Sequence, residues 1–152
     1  MHLRAAHPGE HLWLSEIARQ AKAHWGYGSA ELSAWHASLT VSSKSLLEWP
    51  TVVAELGGAV IGFAQWQLQP PNADLEHLWV LPQAMHRGAG RALLLHAQQH
   101  ARAAGAQALR IDADPHAEAF YLAHGAHRVG QLSAPIAGEP QRVRPQLVLS
   151  LG

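Results

Sequence analysis

Apolar positions recur along this chain with two different periods, and the change of period marks out its elements. From Glu10 to His24, residues Trp13, Leu14, Ile17, Ala18 and Ala21 fall on one face at helical spacing, which predicts an amphipathic helix. "WGYGS", Trp25 to Ser29, breaks it, and Ser29 can cap a second helix running to about Leu39. His2 to Ala6 reads as a short first strand ended by Pro8 and Gly9. "TVSSKSLLEWP" reads as a loop with a turn of helix. Thr51–Leu56 and Ala59–Leu68 are β-rich runs on either side of Gly57–Gly58, the pattern of an antiparallel hairpin. Ala73–Leu81, "ADLEHLWVL", is the next strand, stopped by Pro82.

Helical spacing returns over Gly88–Ala104, with Leu93, Leu94, Ala97, Ala101 and Ala104 as the predicted buried face. Gly105 stands where a helix C-cap glycine belongs. A short strand (108–114), a short helix with proline near its start and glycine at its end (115–125), and two final strands (126–132 and 143–151) complete the chain. The order β-α-α-β-β-β-α-β-α-β-β predicts an α/β fold: one mixed sheet with helices on both faces, in a single domain over 1–152.

Composition narrows the function classes. The length, 152 residues, suits one domain. Eleven basic and eleven acidic side chains cancel without long runs, so no nucleic-acid stripe and no membrane-binding patch is expected. The absence of cysteine excludes disulfides, thiolate nucleophiles and cysteine metal clusters. Apolar runs fall short of the ~20 residues that span a bilayer, and "MHLRAAHPGE" carries no secretion signal, so a soluble cytoplasmic protein is the default expectation. Among the twelve histidines, His96 and His100 are spaced i, i+4 on one helix. With no acid or third histidine near them in sequence, they read as a flank of the buried face, and no metal is expected.

The segment that carries candidate chemistry is "LEHLWVLPQAMHRGAGRALLLHA", Leu75 to Ala97. Gly88, Ala89 and Gly90, between Arg87 and Arg91, connect a strand to a helix. A glycine-rich turn there points unpaired backbone N–H groups outward, and the helix dipole adds about half a positive charge. Together these suit a phosphate or pyrophosphate. The plainer reading is that the glycines only turn the chain. No Gly-Lys-Ser/Thr follows, so this is no P-loop, and the third glycine and distant acid of a dinucleotide fingerprint are missing.

This loop resembles the coenzyme-A loop of the GNAT superfamily, the acetyl-CoA-dependent N-acyltransferases, whose motif is Gln/Arg-x-x-Gly-x-Gly/Ala. Two registers fit. Without a gap after "LWVLP", Met85-His86-Arg87-Gly88-Ala89-Gly90 fills it; shifted by two, Arg87 to Ala92 matches better letter for letter. The ungapped register is preferred on strand-to-helix distance, with Met85 as the departure. A second segment, "DPHAEAFYLAHGAHRVG", resembles the family's Asn-x-x-Ala-x-x-Phe-Tyr-x-x-x-Gly-Phe, with Asp114 at the Asn position and Ala126 at the final Phe. "AKAHWGY" is similar to a bacterial branch of the same superfamily.

The resemblance implies a mostly antiparallel sheet of about 6–7 strands, splayed between the strand at 75–81 and the strand at 108–112. It implies acetyl-CoA as cosubstrate, bound by Met85, His86, Arg87, Gly88, Ala89, Gly90, Arg91, Ala92, Asp114 and Tyr121. Backbone amides of Leu78, Trp79 and Val80 would pair with the pantetheine and polarise the thioester. Without cysteine there is no acyl-cysteine route, so the amine attacks directly. Tyr121, at the family's Phe-Tyr position, matches the usual acid; otherwise it is an aromatic packed beside Phe120.

For the base, strand parity places Asp74, Glu76, Leu78 and Val80 on one face. Glu76 is preferred, because burying an unpaired acid in an apolar strand is costly. The competing reading is a rim carboxylate that attracts a cationic amine. Asp74 is the weaker candidate. His24, Trp25 and Tyr27, in the break between the first two helices, can wall an amine pocket with Glu76, or, as is commoner for Trp25, close a core. The function expected is an N-acetyltransferase acting on a small-molecule or peptide amine; the alternative is a non-catalytic CoA or acyl-CoA sensor of the same fold. Many relatives form dimers, which leaves a homodimer open.

Overall fold

The computed structural model describes residues 1–152. The elements are β1 (His2–Ala5), α1 (His11–Ala23), α2 (Ser29–Ala34), α3 (Ser43–Glu48), β2 (Thr51–Leu56), β3 (Ala59–Gln69), β4 (Asn72–Val80), α4 (Ala89–Ala103), β5 (Ala108–Asp112), α5 (Glu118–Ala123), β6 (His127–Ser133) and β7 (Val143–Ser150). The seven strands form one sheet in the order β1-β2-β3-β4-β5-β7-β6. Pairing is antiparallel for β1–β2, β2–β3, β5–β7 and β6–β7, and parallel for β4–β5. This is the mixed sheet the element order predicts. No helix is long and apolar enough to cross a membrane. The chain divides into two compact units, Met1–Gln67 with Glu76–Ala97, and Leu68–Leu75 with Gln98–Gly152.

In the first unit, α1 buries Leu14, Ser15, Ile17, Ala18 and Ala21. The Ser15 hydroxyl is satisfied there: it donates to the His11 carbonyl at 2.8 Å and accepts from the Val41 amide at 2.8 Å. Trp13, expected on the buried face, is instead 41% exposed, with its indole N–H donating to the Val60 carbonyl. A ring with a polar edge suits such a rim position. Ser29 is not a cap: it is the first residue of α2, with Gly28 at the N-cap. Ser42 does cap, its hydroxyl accepting from Ser45 N at 3.0 Å, and this nucleates α3 where the sequence suggests little more than a loop.

Strand alternation in β3 serves two helices. Gly62 and Trp66 share one face. A Cβ on Gly62 would lie 2.8 Å from the Trp79 carbonyl oxygen and 3.3 Å from a Leu93 methyl, so only glycine allows β4 and α4 to come this close. Trp66 meets the His96 ring at 6.2 Å. On the opposite face Gln65, fully buried, donates to Ser45 Oγ at 3.2 Å and Thr51 Oγ1 at 3.1 Å, which ties α3 to β2 and β3.

In the second unit, β5 pairs with β7 along its whole length, and Leu109, Ile111, Leu147 and Leu149 are buried. β4 pairs with β5 only from Ala73 opposite Leu109 to Leu75 opposite Ile111. That ladder ends at Leu75, while β4 continues to Val80. The buried face of α4 is Leu93, Leu94, Ala97 and Ala101. Ala104 is exposed, because the helix ends at Ala103 and Gly105, at φ +94°, turns the chain away.

Candidate active site

The glycine loop begins where Leu81 N donates to the Ile61 carbonyl at 2.8 Å, fixing the exit from β4. A single 3-10 turn, Pro82–Ala84, follows. His86 then adopts φ +63° and Gly88 φ +85°. A left-handed conformation at a non-glycine residue costs about 1–2 kcal/mol, so His86 stores strain at the mouth of the loop. The Gly88 carbonyl accepts from Ala92 N at 3.0 Å and closes the first turn of α4. Helix geometry therefore leaves the N–H groups of Ala89, Gly90 and Arg91 without intrahelical acceptors. A Cβ on Gly88 would meet nothing within 4 Å, so the space beside Gly88 is open. Arg87 and Arg91 are exposed beside it, while Ala89 is buried and anchors the turn. Gly90 sits inside the first helical turn and is not among the positive-φ glycines. The arrangement fits a pyrophosphate: open space, unspent donors, a helix N-terminus and two cations.

On β4, Leu78, Trp79 and Val80 are half-buried. Trp79 Nε1 donates to His77 Nδ1 at 3.0 Å, and the Phe63 ring lies 5.7 Å from the imidazole. Enclosure in this apolar setting pushes the His77 pKa down to about 4. Glu76, by contrast, is exposed, with Gln67 Nε2 donating to it at 3.4 Å. The cost of burying an acid therefore does not apply to Glu76, and its case rests on position. Asp74 is held by Arg110 through two hydrogen bonds of 2.6 and 3.0 Å, which gives it a structural role across the β4–β5 ladder.

Tyr121 lies in α5, 7% exposed, with Phe120 edge-on at 5.3 Å. Burial, and secondarily the negative charge of Asp114, pushes its pKa well above the ordinary tyrosine value. Asp114 itself caps the turn that leads into α5: its carboxylate accepts from His116 N at 2.8 Å and meets His116 Nδ1 at 2.9 Å. Arg142, in the connection between β6 and β7, faces the same carboxylate at 3.7 Å, and both side chains are nearly fully buried. Arg142 also donates to the Ala134 carbonyl at 3.0 Å. Sequence reasoning missed Arg142, since a lone arginine in a Pro/Gly loop carries no signal of a partner 28 residues upstream.

The break after α1 gathers aromatic rings. His24 and Trp25 meet edge-on at 5.0 Å, and Trp25 is 37% exposed, so it closes no core. Tyr27 meets Trp35 edge-on at 4.7 Å. Trp35, the residue that ends α2, was not singled out in the sequence. Among the sequence-predicted residues, those of the glycine loop, Glu76, the 78–80 backbone and the aromatics belong to the first unit, and Asp114 and Tyr121 belong to the second. No group of three or more His, Cys, Asp or Glu could hold a metal ion, and His96 is engaged with Trp66.

The acetyltransferase (GNAT) family model matches residues 14–126. Solved structures with the same fold include a GCN5-related N-acetyltransferase from Rhodopseudomonas palustris. It is 23% identical, with a TM-score of 0.79, covering 98% of this chain and 94% of the other. PaiA N-acetyltransferase from Thermoplasma acidophilum, solved in complex with coenzyme A, is 19% identical with a TM-score of 0.75 and 98% of both chains covered. YncA from Salmonella typhimurium, solved with its cofactor acetyl-CoA, is 20% identical with a TM-score of 0.73, covering 100% of this chain and 94% of the other. At these identities the likeness speaks for the fold.

Proposed function

The chain belongs to the acetyltransferase (GNAT) family, and from that premise we propose that residues 1–152 act as one N-acetyltransferase domain, moving an acetyl group from acetyl-CoA to a primary amine by direct attack. The observation that carries this reading is the glycine loop, where Gly88 at φ +85°, with open space beside it, leads into the N-terminus of α4. Neighbours of this fold bind coenzyme A or acetyl-CoA.

When bound, acetyl-CoA supplies an activated acyl group. The amides of Ala89, Gly90 and Arg91, with the α4 dipole and the Arg87 and Arg91 guanidiniums, hold the pyrophosphate. The backbone of Leu78–Val80, beyond the end of the β4–β5 ladder, hydrogen-bonds the pantetheine and polarises the acyl carbonyl. An alkylamine with pKa near 10 is neutral only about once in a thousand molecules at pH 7. Glu76, exposed and ionisable, takes the amine proton through a water. Tyr121 keeps its own proton because burial and Asp114 oppose its ionisation. It is therefore protonated when the thioester opens and gives that proton to the departing sulfur, regaining one from solvent; overall the ammonium loses two protons, one ending on the CoA sulfur and one released through Glu76, as the acetyl group moves to nitrogen. We place the acceptor among small-molecule or peptide amines, with the first-unit break at His24–Tyr27 as part of its binding wall.

Release of free CoA thiol, measured with a panel of amines, tests the reading. Amine-dependent thiol release together with mass-shifted acceptor supports it. Saturable acetyl-CoA binding without release for any amine would favour a CoA sensor of the same fold.

A further inference from the structure

Lys22, in the last turn of α1, does not point into solvent. Its ammonium lies 4.6 Å from the centre of the Trp35 ring and 5.2 Å from that of Tyr27. The two rings meet at 88°, so their faces form the two walls of a corner. Three local features build it. α1 stops at Ala23, Gly26 at φ +87° reverses the chain, and Tyr27 thereby comes back over the end of α1. Trp35 stands at the C-terminus of α2 and supplies the second wall. All three side chains are half-buried, so the ammonium gives up part of its water shell to the rings. Both distances lie within the ~6 Å over which an aromatic face attracts a cation.

We propose that the Tyr27–Trp35 corner is a binding site for a protonated alkylamine, and that Lys22 occupies it as a tethered internal ligand. The chemistry is selective. Two electron-rich faces favour a compact cation on an aliphatic stem and disfavour anions and neutral polar groups. The four-carbon stem of Lys22 shows the shape of guest that fits. Along the same α1–α2 seam lies an open cavity of about 400 Å³ lined by Glu16, Arg19 and His36 among others.

A nitrogen held here must carry its proton, because the attraction is to the charge. A protonated nitrogen has no lone pair and cannot attack a thioester. Within the acetyltransferase reading, the nitrogen held in the corner is therefore not the one that attacks.

The test is a binding measurement. Lys22→Met keeps the aliphatic stem and removes the charge. Calorimetric titration with n-butylammonium, without acetyl-CoA, is expected to show about tenfold tighter binding to K22M than to the parent chain. Adding Trp35→Leu to K22M should return the affinity to the parent's level. Tyr27→Leu serves in the same background if the tryptophan variant does not fold, and Lys22→Gln replaces K22M on the same criterion. Equal binding by parent and K22M, or undiminished binding after loss of an aromatic wall, overturns the proposal.

Discussion

The indole N–H of Trp79 donates to Nδ1 of His77 across 3.0 Å. An indole nitrogen can only donate, so Nδ1 is the acceptor and the neutral ring carries its hydrogen on Nε2. Phe63 packs beside the ring and nothing there rewards a second proton. His77 is thus a neutral element that pins the Trp79 side chain beside the 78–80 backbone, the stretch assigned to the pantetheine.

This arrangement has a pH signature. The folded pKa of His77 is about 4, below its ordinary 6.5. Between those values the unfolded chain binds a proton that the folded chain does not. Stability therefore falls as pH drops from about 6.5 towards 4, by roughly 3 kcal/mol at most. His77→Phe removes the titrating ring and should flatten that slope in thermal unfolding measured between pH 4 and 7. An unaltered slope would mean that another group carries it.

Gly88→Val should abolish acetyl-CoA binding while leaving a folded chain. A β-branched residue at φ +85° is strained by about 1–3 kcal/mol, which shifts the turn that sets the first helix amides, and it puts two methyls into the open space beside the loop. The parent should gain about 2.7 kcal/mol of stability at a hundredfold excess of acetyl-CoA over Kd, and the variant none. Normal stabilisation of a folded G88V by acetyl-CoA would reduce the loop to a turn.

Tyr121→Phe should lower kcat by about 10²–10⁴-fold while acetyl-CoA affinity stays near the parent's, since one hydroxyl is lost and little packing. Pre-steady-state acetyl transfer is the measurement. An undiminished rate would leave Tyr121 as a packed aromatic beside Phe120.

Asp114→Asn should move the Tyr121 pKa downward, because the charge of Asp114 is one of the two causes that raise it. Asparagine caps a helical turn as well as aspartate does, so the entry to α5 should survive. The loss of an ionic partner for the buried Arg142 should still cost stability, on the order of 1–3 kcal/mol. The chain has two tyrosines, so tyrosinate absorbance in a Tyr27→Phe background reports Tyr121 alone. A pKa that stays in place, or rises, would show that Asp114 exerts no field on the hydroxyl.

Glu76→Gln keeps the shape and removes the basicity. If Glu76 is the base, kcat should fall most near neutral pH and recover in part at high pH, where more of the amine is already neutral. An exposed carboxylate that only attracts cations predicts a different result: a higher KM for cationic amines, cancelled by salt, with kcat intact. The pH profile of kcat against that of KM decides between them.

Much of this fold was legible in the chain because its signals are local. Alternation and helical spacing depend on neighbours within a few residues, so Thr51–Leu56 is a strand as read, and Leu14, Ile17, Ala18 and Ala21 face inward as read. Gly105 and Gly125 end their helices at positive φ, again a property of the backbone at one position. The glycine loop was legible for the same reason: a strand, a proline, small residues and a helix follow one another without interruption.

What the tertiary structure decided are the contacts between residues far apart in sequence. Glu76 is exposed, although an acid in an apolar strand suggests otherwise, because whether a strand position is covered depends on what packs over it. Asp74 turns to Arg110, and Asp114 to Arg142; the strand order and the β6–β7 connection bring those arginines in, and neither pairing has a period or a motif. The partnership of Lys22 with Tyr27 and Trp35 is of the same kind. Each ring and the ammonium can be read in the sequence, but a cation meets an aromatic face only after Gly26 has reversed the chain and α2 has set Trp35 against it. Local chemistry chose the elements of this protein. The charges and rings acquired their partners, and with them their shifted pKa values, only when those elements packed.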